Sequence, residues 1–137
     1  MSKLKITAGP FTFYGKFEEE AAPKTVAKFK TLLPYKEKLI HVRWSGEGCW
    51  IPLGELDLGL SYENHTSHPA PGEFILYPGG ISETEILLAY GGVDFSSKMG
   101  QLAGNHFITI TEGRENLPAL GKMTLWQGAQ DIVIEWA

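Results

Sequence analysis

One cysteine, Cys49, stands in the 137 residues of this chain. Alone it can neither close an intrachain disulfide nor anchor a thiolate zinc site, so nothing in the composition asks for an oxidising compartment. Positive charge is also scarce. Twelve Lys and Arg face sixteen Asp and Glu, for a net charge of −4. With no basic block to neutralise a run of phosphates, nucleic acid is not an expected partner. No apolar run approaches the roughly 18 residues that span a bilayer. The opening Met1-Ser2-Lys3-Leu4-Lys5 leads into an alternating segment instead of a signal h-region. The expectation is a cytoplasmic chain without membrane contact. Repeats, low-complexity tracts and linkers are missing too, which leaves one domain at this length. The glycine pairs Gly79-Gly80 and Gly91-Gly92 lack the Gly-Lys-Ser/Thr ending of a phosphate loop. No cofactor is expected.

What is present is ordinary globular material, 43% hydrophobic and 20% charged. Residues 3–8 alternate, with Leu4, Ile6 and Ala8 on one face, and residues 11–17 repeat the pattern after Gly9-Pro10, which predicts a hairpin. Over 21–33, Val26, Phe29, Leu32 and Leu33 recur at helical spacing, with Pro23 near the start and Pro34 after the end. Glu18, Glu19 and Glu20 ahead of that helix suit the positive end of its dipole. Residues 39–44 read as a strand with Ile40, Val42 and Trp44 on one face and His41 and Arg43 on the other. The stretch 54–72 has turn residues and no sustained period; long loops of this kind tend to serve a site or an interface. Segments 73–77, 85–90 and 105–111 are β-rich with both faces apolar, as expected of covered strands. Asn116 and Pro118 signal a short second helix along Leu117, Leu120 and Leu125, weakened by Gly121. Ile132, Ile134 and Trp136 close the chain in a last strand. The count of about eight strands and two helices predicts a mainly β fold, a closed or nearly closed β-barrel with helices over its ends.

Several residue sets carry candidate chemistry. Arg43 beside His41 presents a rigid fork for carboxylates and carbonyls, set against a plain solvent-facing polar face. Trp44 and Trp50 either wall an aromatic pocket or fill core. Ser82, Glu83 and Glu85 follow a double glycine and are placed either to line a ligand mouth or to stand solvated, as paired carboxylates beside turns usually do. His65 and His68 have a metal-sharing spacing, but no third ligand completes it, so no metal is expected. Cys49 beside Trp50 reads as a small buried hydrophobe, not a nucleophile.

Ala22-Pro23-Lys24-Thr25-Val26-Ala27-Lys28-Phe29 resembles the cyclophilin signature in which a strand runs into Pro-Lys-Thr and a helix with a buried Phe. Later landmarks follow in the same order. Gly72 before Phe74-Ile75-Leu76 resembles a cyclophilin strand that ends in a small-residue turn, here Pro78-Gly79-Gly80. Gly104-Asn105-His106-Phe107-Ile108-Thr109 resembles the Gly-Ser-Gln-Phe-Phe-Ile segment, and Leu120-Gly121-Lys122-Met123 resembles Phe-Gly-Lys-Val. Together they cover most of the chain, and the similarity is to a bacterial cyclophilin-like family of uncharacterised function. The resemblance implies an eight-stranded barrel with two capping helices and a pocket at the barrel mouth for a small molecule or short peptide. Arg43 and His106 would be its catalytic pair, and His41, Trp44, Trp50, Tyr77, Glu83, Tyr90, Asn105 and Ile108 its ligand-binding residues. Prolyl isomerisation would need an arginine to stabilise the twisted amide. One residue of register decides which face Arg43 takes, and the family's pocket Trp-Leu pair and pocket His have no counterpart before Leu120. The alternatives are a weak prolyl isomerase, and an assembly module whose 54–72 excursion pairs with a second copy of the chain.

Overall fold

Alternation along nearly every strand separates an inner apolar row from an outer row, and eight such strands close on themselves. The computed structural model describes residues 3–137; Met1 and Ser2, where the leader reading begins, lie outside the described residues. In chain order the elements are β1 (Leu4–Ala8), β2 (Phe11–Phe17), α1 (Pro23–Lys30), β3 (Tyr35–His41), β4 (Gly46–Pro52), β5 (His65–Thr66), β6 (Glu73–Tyr77) and β7 (Glu85–Val93). There follow β8 (Ser96–Ser97), β9 (Gly100–Gln101), β10 (Gly104–Glu112), α2 (Leu117–Gln127) and β11 (Gln130–Trp136). The barrel runs β2-β1-β11-β3-β4-β7-β6-β10, and β10 pairs back onto β2. Every neighbouring pair is antiparallel. Closure removes the free edges that an open sheet would expose. The expected mainly β barrel of eight strands with two helices is thus the fold.

The inner rows fill the barrel. Leu4, Ile6, Phe13, Ile51, Phe74, Leu88, Ile108 and Ile134 belong to one buried cluster, which continues into Val26 and Phe29 of α1 and Leu117 and Leu120 of α2. Side chains from all eight strands meet in the barrel interior. A second buried cluster lies on the outer face of β4, β6 and β7, formed by Val42, Ile75, Tyr77, Leu87, Phe95 and Leu102 with their neighbours. The segment 93–102 straps across that face. Its Phe95 N–H donates to the Ser67 carbonyl and its ring meets Tyr77 edge-on at 6.1 Å.

Two local expectations need correction. The strand expected over 39–44 ends at His41, and Arg43–Ser45 forms a 3₁₀ turn that swings the chain into β4 through Gly46, whose φ of 109° suits glycine. The α1 dipole is met by Glu63, not by the acidic run ahead of the helix. Ala22 offers no capping side chain, and the Glu63 carboxylate, brought in from the 54–72 excursion, accepts the Thr25 N–H at 2.6 Å and the Lys24 N–H at 3.4 Å. Glu19 instead pairs with Lys30, and Glu18 accepts from the Thr109 hydroxyl at 2.7 Å. The excursion is further clasped by Asn105. Its Nδ2 donates to the Thr25 hydroxyl and the Ser61 carbonyl, and its Oδ1 accepts the Glu63 N–H. The β5 bridge within the excursion pairs with β10 of its own chain.

Candidate functional site

The strap and the barrel wall bound a groove of about 420 Å³ on the outer face. Its floor comes from the outward row of β4 and β7. In their register Trp50 faces Leu87 and Pro52 faces Glu85, so Trp50 and Glu85 share one side of the sheet. Trp44, on the 3₁₀ turn, stands edge-on to Trp50 with centroids 5.5 Å apart at 86°. Serines hold that turn to the strap. Ser45 Oγ donates to the Ser96 carbonyl and accepts the Ser96 N–H, and Ser96 Oγ donates to the Trp44 carbonyl. Glu83 and Lys98 complete the rim. A second, wider basin beside Leu56, Ile81 and Met99 shares Ser82, Glu83 and Lys98 with the groove.

Glu85 is the unusual residue of this wall. It is 3% exposed, and burial, reinforced by the nearby Glu83 charge, pushes its carboxyl up to about 8. At neutral pH it is mostly a neutral acid, able to donate a hydrogen bond as well as accept one. Trp50 also keeps its indole N–H buried without an acceptor among the described residues. Trp44, by contrast, is 57% exposed and offers a free aromatic face at the rim.

The residues named from the sequence divide among several places. Trp44, Trp50 and Glu83 come together in the groove. Arg43 is exposed on the turn next to Trp44. His41 and Tyr90 pair with each other near α2, His41 Nε2 lying 2.7 Å from the Tyr90 hydroxyl. Burial and the Arg43 charge lower the His41 pKa. The Tyr90 ring rests on Gly121 so closely that a Cβ there would overlap it, which explains a glycine inside α2. His106 lies on the outer side of β10, its Nε2 2.8 Å from Thr109 Oγ1 and 3.9 Å from Glu73. Arg43 and His106 therefore belong to different surroundings. Tyr77 is buried, and its hydroxyl accepts the Ile81 and Ser82 N–H groups, which shapes the groove's far loop. Asn105 is the clasp described above, and Ile108 is core. Cys49 is buried against Thr124 at 3.2 Å, with its thiol raised to about 11 by burial. His65 stacks on Tyr62, while His68 faces Asp94 at 3.3 Å. Among the described residues no three metal-ligating side chains converge.

The family described as "Protein of unknown function (DUF3830)" matches residues 4–135. The chain belongs to the DUF3830 family. Among solved structures, this DUF3830 fold is similar to McbB in complex with tryptophan, at a TM-score of 0.69 and 15% identity, over 96% of this chain but 44% of that one. It is also similar to the hypothetical protein AF2241 from Archaeoglobus fulgidus, at a TM-score of 0.61 and 18% identity, over 99% of this chain and 95% of that one. At these identities the likeness is one of fold. No curated protein matches the DUF3830 chain. The chain spans under half the length of McbB. No helix among its described residues is long and apolar enough to cross a membrane.

Sequence reasoning paired Glu83 with Glu85 as solvated carboxylates and left Glu85 out of the site. A signal was present. Period two places Glu85 in line with Leu87 and Ala89, and an apolar outer row on a barrel strand means that something covers it.

Proposed function

We propose that this DUF3830 domain is a binding module whose ligand site is the outer groove between Trp44, Trp50 and Glu85, taking a small molecule or a short peptide segment. The observation that carries this reading is Glu85 itself. A carboxyl held almost fully out of water costs folding free energy unless it is paired, and burial and the Glu83 charge leave it strained toward its neutral form. A ligand with a complementary polar group relieves that cost, and the two indoles supply apolar contact around it. Arg43 next to Trp44 keeps a second reading in view. An Xaa-Pro peptide lying on the indoles would need that guanidinium to turn toward it, since isomerisation of a prolyl amide calls for a donor on the twisted amide.

Titration of the isotopically labelled chain by NMR tests both readings together. The probes are free tryptophan, which the McbB structure contains, short amides, and Xaa-Pro peptides. Binding moves the indole N–H signals of Trp44 and Trp50 and leaves those of Trp126 and Trp136 in place. Exchange broadening of the Xaa-Pro peptide signals, lost in Arg43→Ala, adds the isomerase. Perturbations confined to other surfaces would remove the groove as the ligand site.

A further inference from the structure

We infer that the Trp44–Trp50 corner is a cation site, which takes an alkylated ammonium group against the two indoles with Glu85 and Glu83 as its countercharges. The inference rests on the groove being the ligand site proposed above. The two indoles meet edge-on, 86° at 5.5 Å, so that Trp50 braces Trp44 at the rim beside the carboxyls of the groove. Indole is the strongest aromatic partner for a cation, and the exposed Trp44 leaves one such face open at the rim.

The charges around the corner point the same way. Glu85 lies in the floor and Glu83 on the rim, with Glu55 and Asp57 in the adjoining basin. Across the sheet β6 brings Tyr77, whose hydroxyl is occupied by two backbone N–H groups, and β4 brings only Trp50 and Pro52. The strap brings one positive group, Lys98, exposed at the rim, which leaves Glu85 still shifted by burial and by Glu83. Among the described residues neither Glu83 nor Glu85 is held in an ion pair by Lys98 or another cation. Entry of a cation favours the ionised form of Glu85, so binding expels its proton, and affinity rises with pH until the carboxyl is ionised without ligand. Alkyl groups on the nitrogen suit this surface, since they leave few N–H donors to satisfy and spread the charge over carbon that packs on indole.

Isothermal titration calorimetry of the full chain tests this with tetramethylammonium, with choline, and with the uncharged carbon isostere of choline. Choline is expected to bind about tenfold more tightly than the isostere, and more tightly at about pH 9 than at about pH 7, with proton release shown by the dependence of the heat on the buffer. Trp44→Ala, at an exposed position, should abolish the preference for the cation without loss of fold, and Glu85→Gln should remove the pH dependence. Equal affinity for choline and the isostere overturns the cation site and leaves the groove as an apolar ligand site. Absence of heat with every probe, together with unmoved Trp44 and Trp50 signals across the wider panel, overturns the groove reading as well.

Discussion

Glu85 shows how one residue on a strand acquires chemistry from what covers it. Unfolded, its carboxyl titrates as an ordinary glutamate near 4.5; folded, burial and Glu83 raise it to about 8. Between those values the folded chain binds more protons than the unfolded one, so stability falls as pH rises through that window. The contribution is fully present below the unfolded value and has been lost once pH passes the folded one. At about 1.4 kcal/mol per unit the loss is on the order of a few kcal/mol. Glu85→Gln keeps the shape and the neutral hydrogen-bonding capacity but removes the titration. Urea midpoints measured from about pH 5 to 9 should therefore fall in the wild type and stay nearly flat in the variant, which becomes the more stable of the two at the alkaline end. Parallel profiles would mean that Glu85 is hydrated in the folded chain. The identity of this residue was visible in the sequence, and so was its parity with Leu87. Its burial was not, because the cover includes the 93–102 strap, which folds back over this wall from beyond the end of the strand and outside its local period.

At the scale of elements, several strands were legible almost to the residue, whether alternating or apolar on both faces. Residues 73–77 are β6 as expected, and β2 matches 11–17. What local pattern could not show were contacts made by the unpatterned excursion. The α1 helix lacks a capping side chain of its own, so its first amides depend on Glu63, brought from 38 residues further along the chain. Burial is the largest single influence and raises the Glu63 pKa, but the hydrogen bonds from Thr25 and the Lys24 N–H, with the Lys24 charge, together outweigh it and hold the carboxyl below its usual range. A depressed carboxylate contributes stability above its unfolded value, and this is lost as pH falls through the folded one. Glu63→Ala should cost about 1 kcal/mol, the usual worth of a cap. It should also free the excursion from α1, seen as faster hydrogen exchange at the Lys24 and Thr25 amides. Slower or unchanged exchange there would show that another acceptor already serves the helix. The same limits explain the misplaced end of β3. Ile40, Val42 and Trp44 share a parity that reads as strand, yet Gly46 and the register shift between Gly46 and Gly48 turn the chain out of the sheet at Arg43.

For the whole molecule, the decisive feature is that the barrel wall is apolar on both sides along β4, β6 and β7. The inner cluster closes the barrel; the outer cluster attaches the strap and so builds the groove. Two phenylalanines, both about 1% exposed or less, separate these roles: Phe74 in the inner cluster and Phe95 in the outer. Phe74→Ala leaves a hole ringed by strands that cannot collapse, and should cost about 3 to 5 kcal/mol with cooperative loss of the whole barrel. Phe95→Ala removes the anchor of a segment that can relax toward water, so its cost should lie at or below about 3 kcal/mol. Its signature is local. Amides of the strap should exchange by a low-energy opening while those of β1, β2 and β11 keep their protection, and the Trp44 and Trp50 signals should lose the dispersion that the corner imposes. Strap and barrel amides exchanging together would show a single cooperative unit, with the groove as rigid as the barrel. Separate exchange would make strap opening the motion through which a ligand enters, and would set groove occupancy against the free energy of that opening.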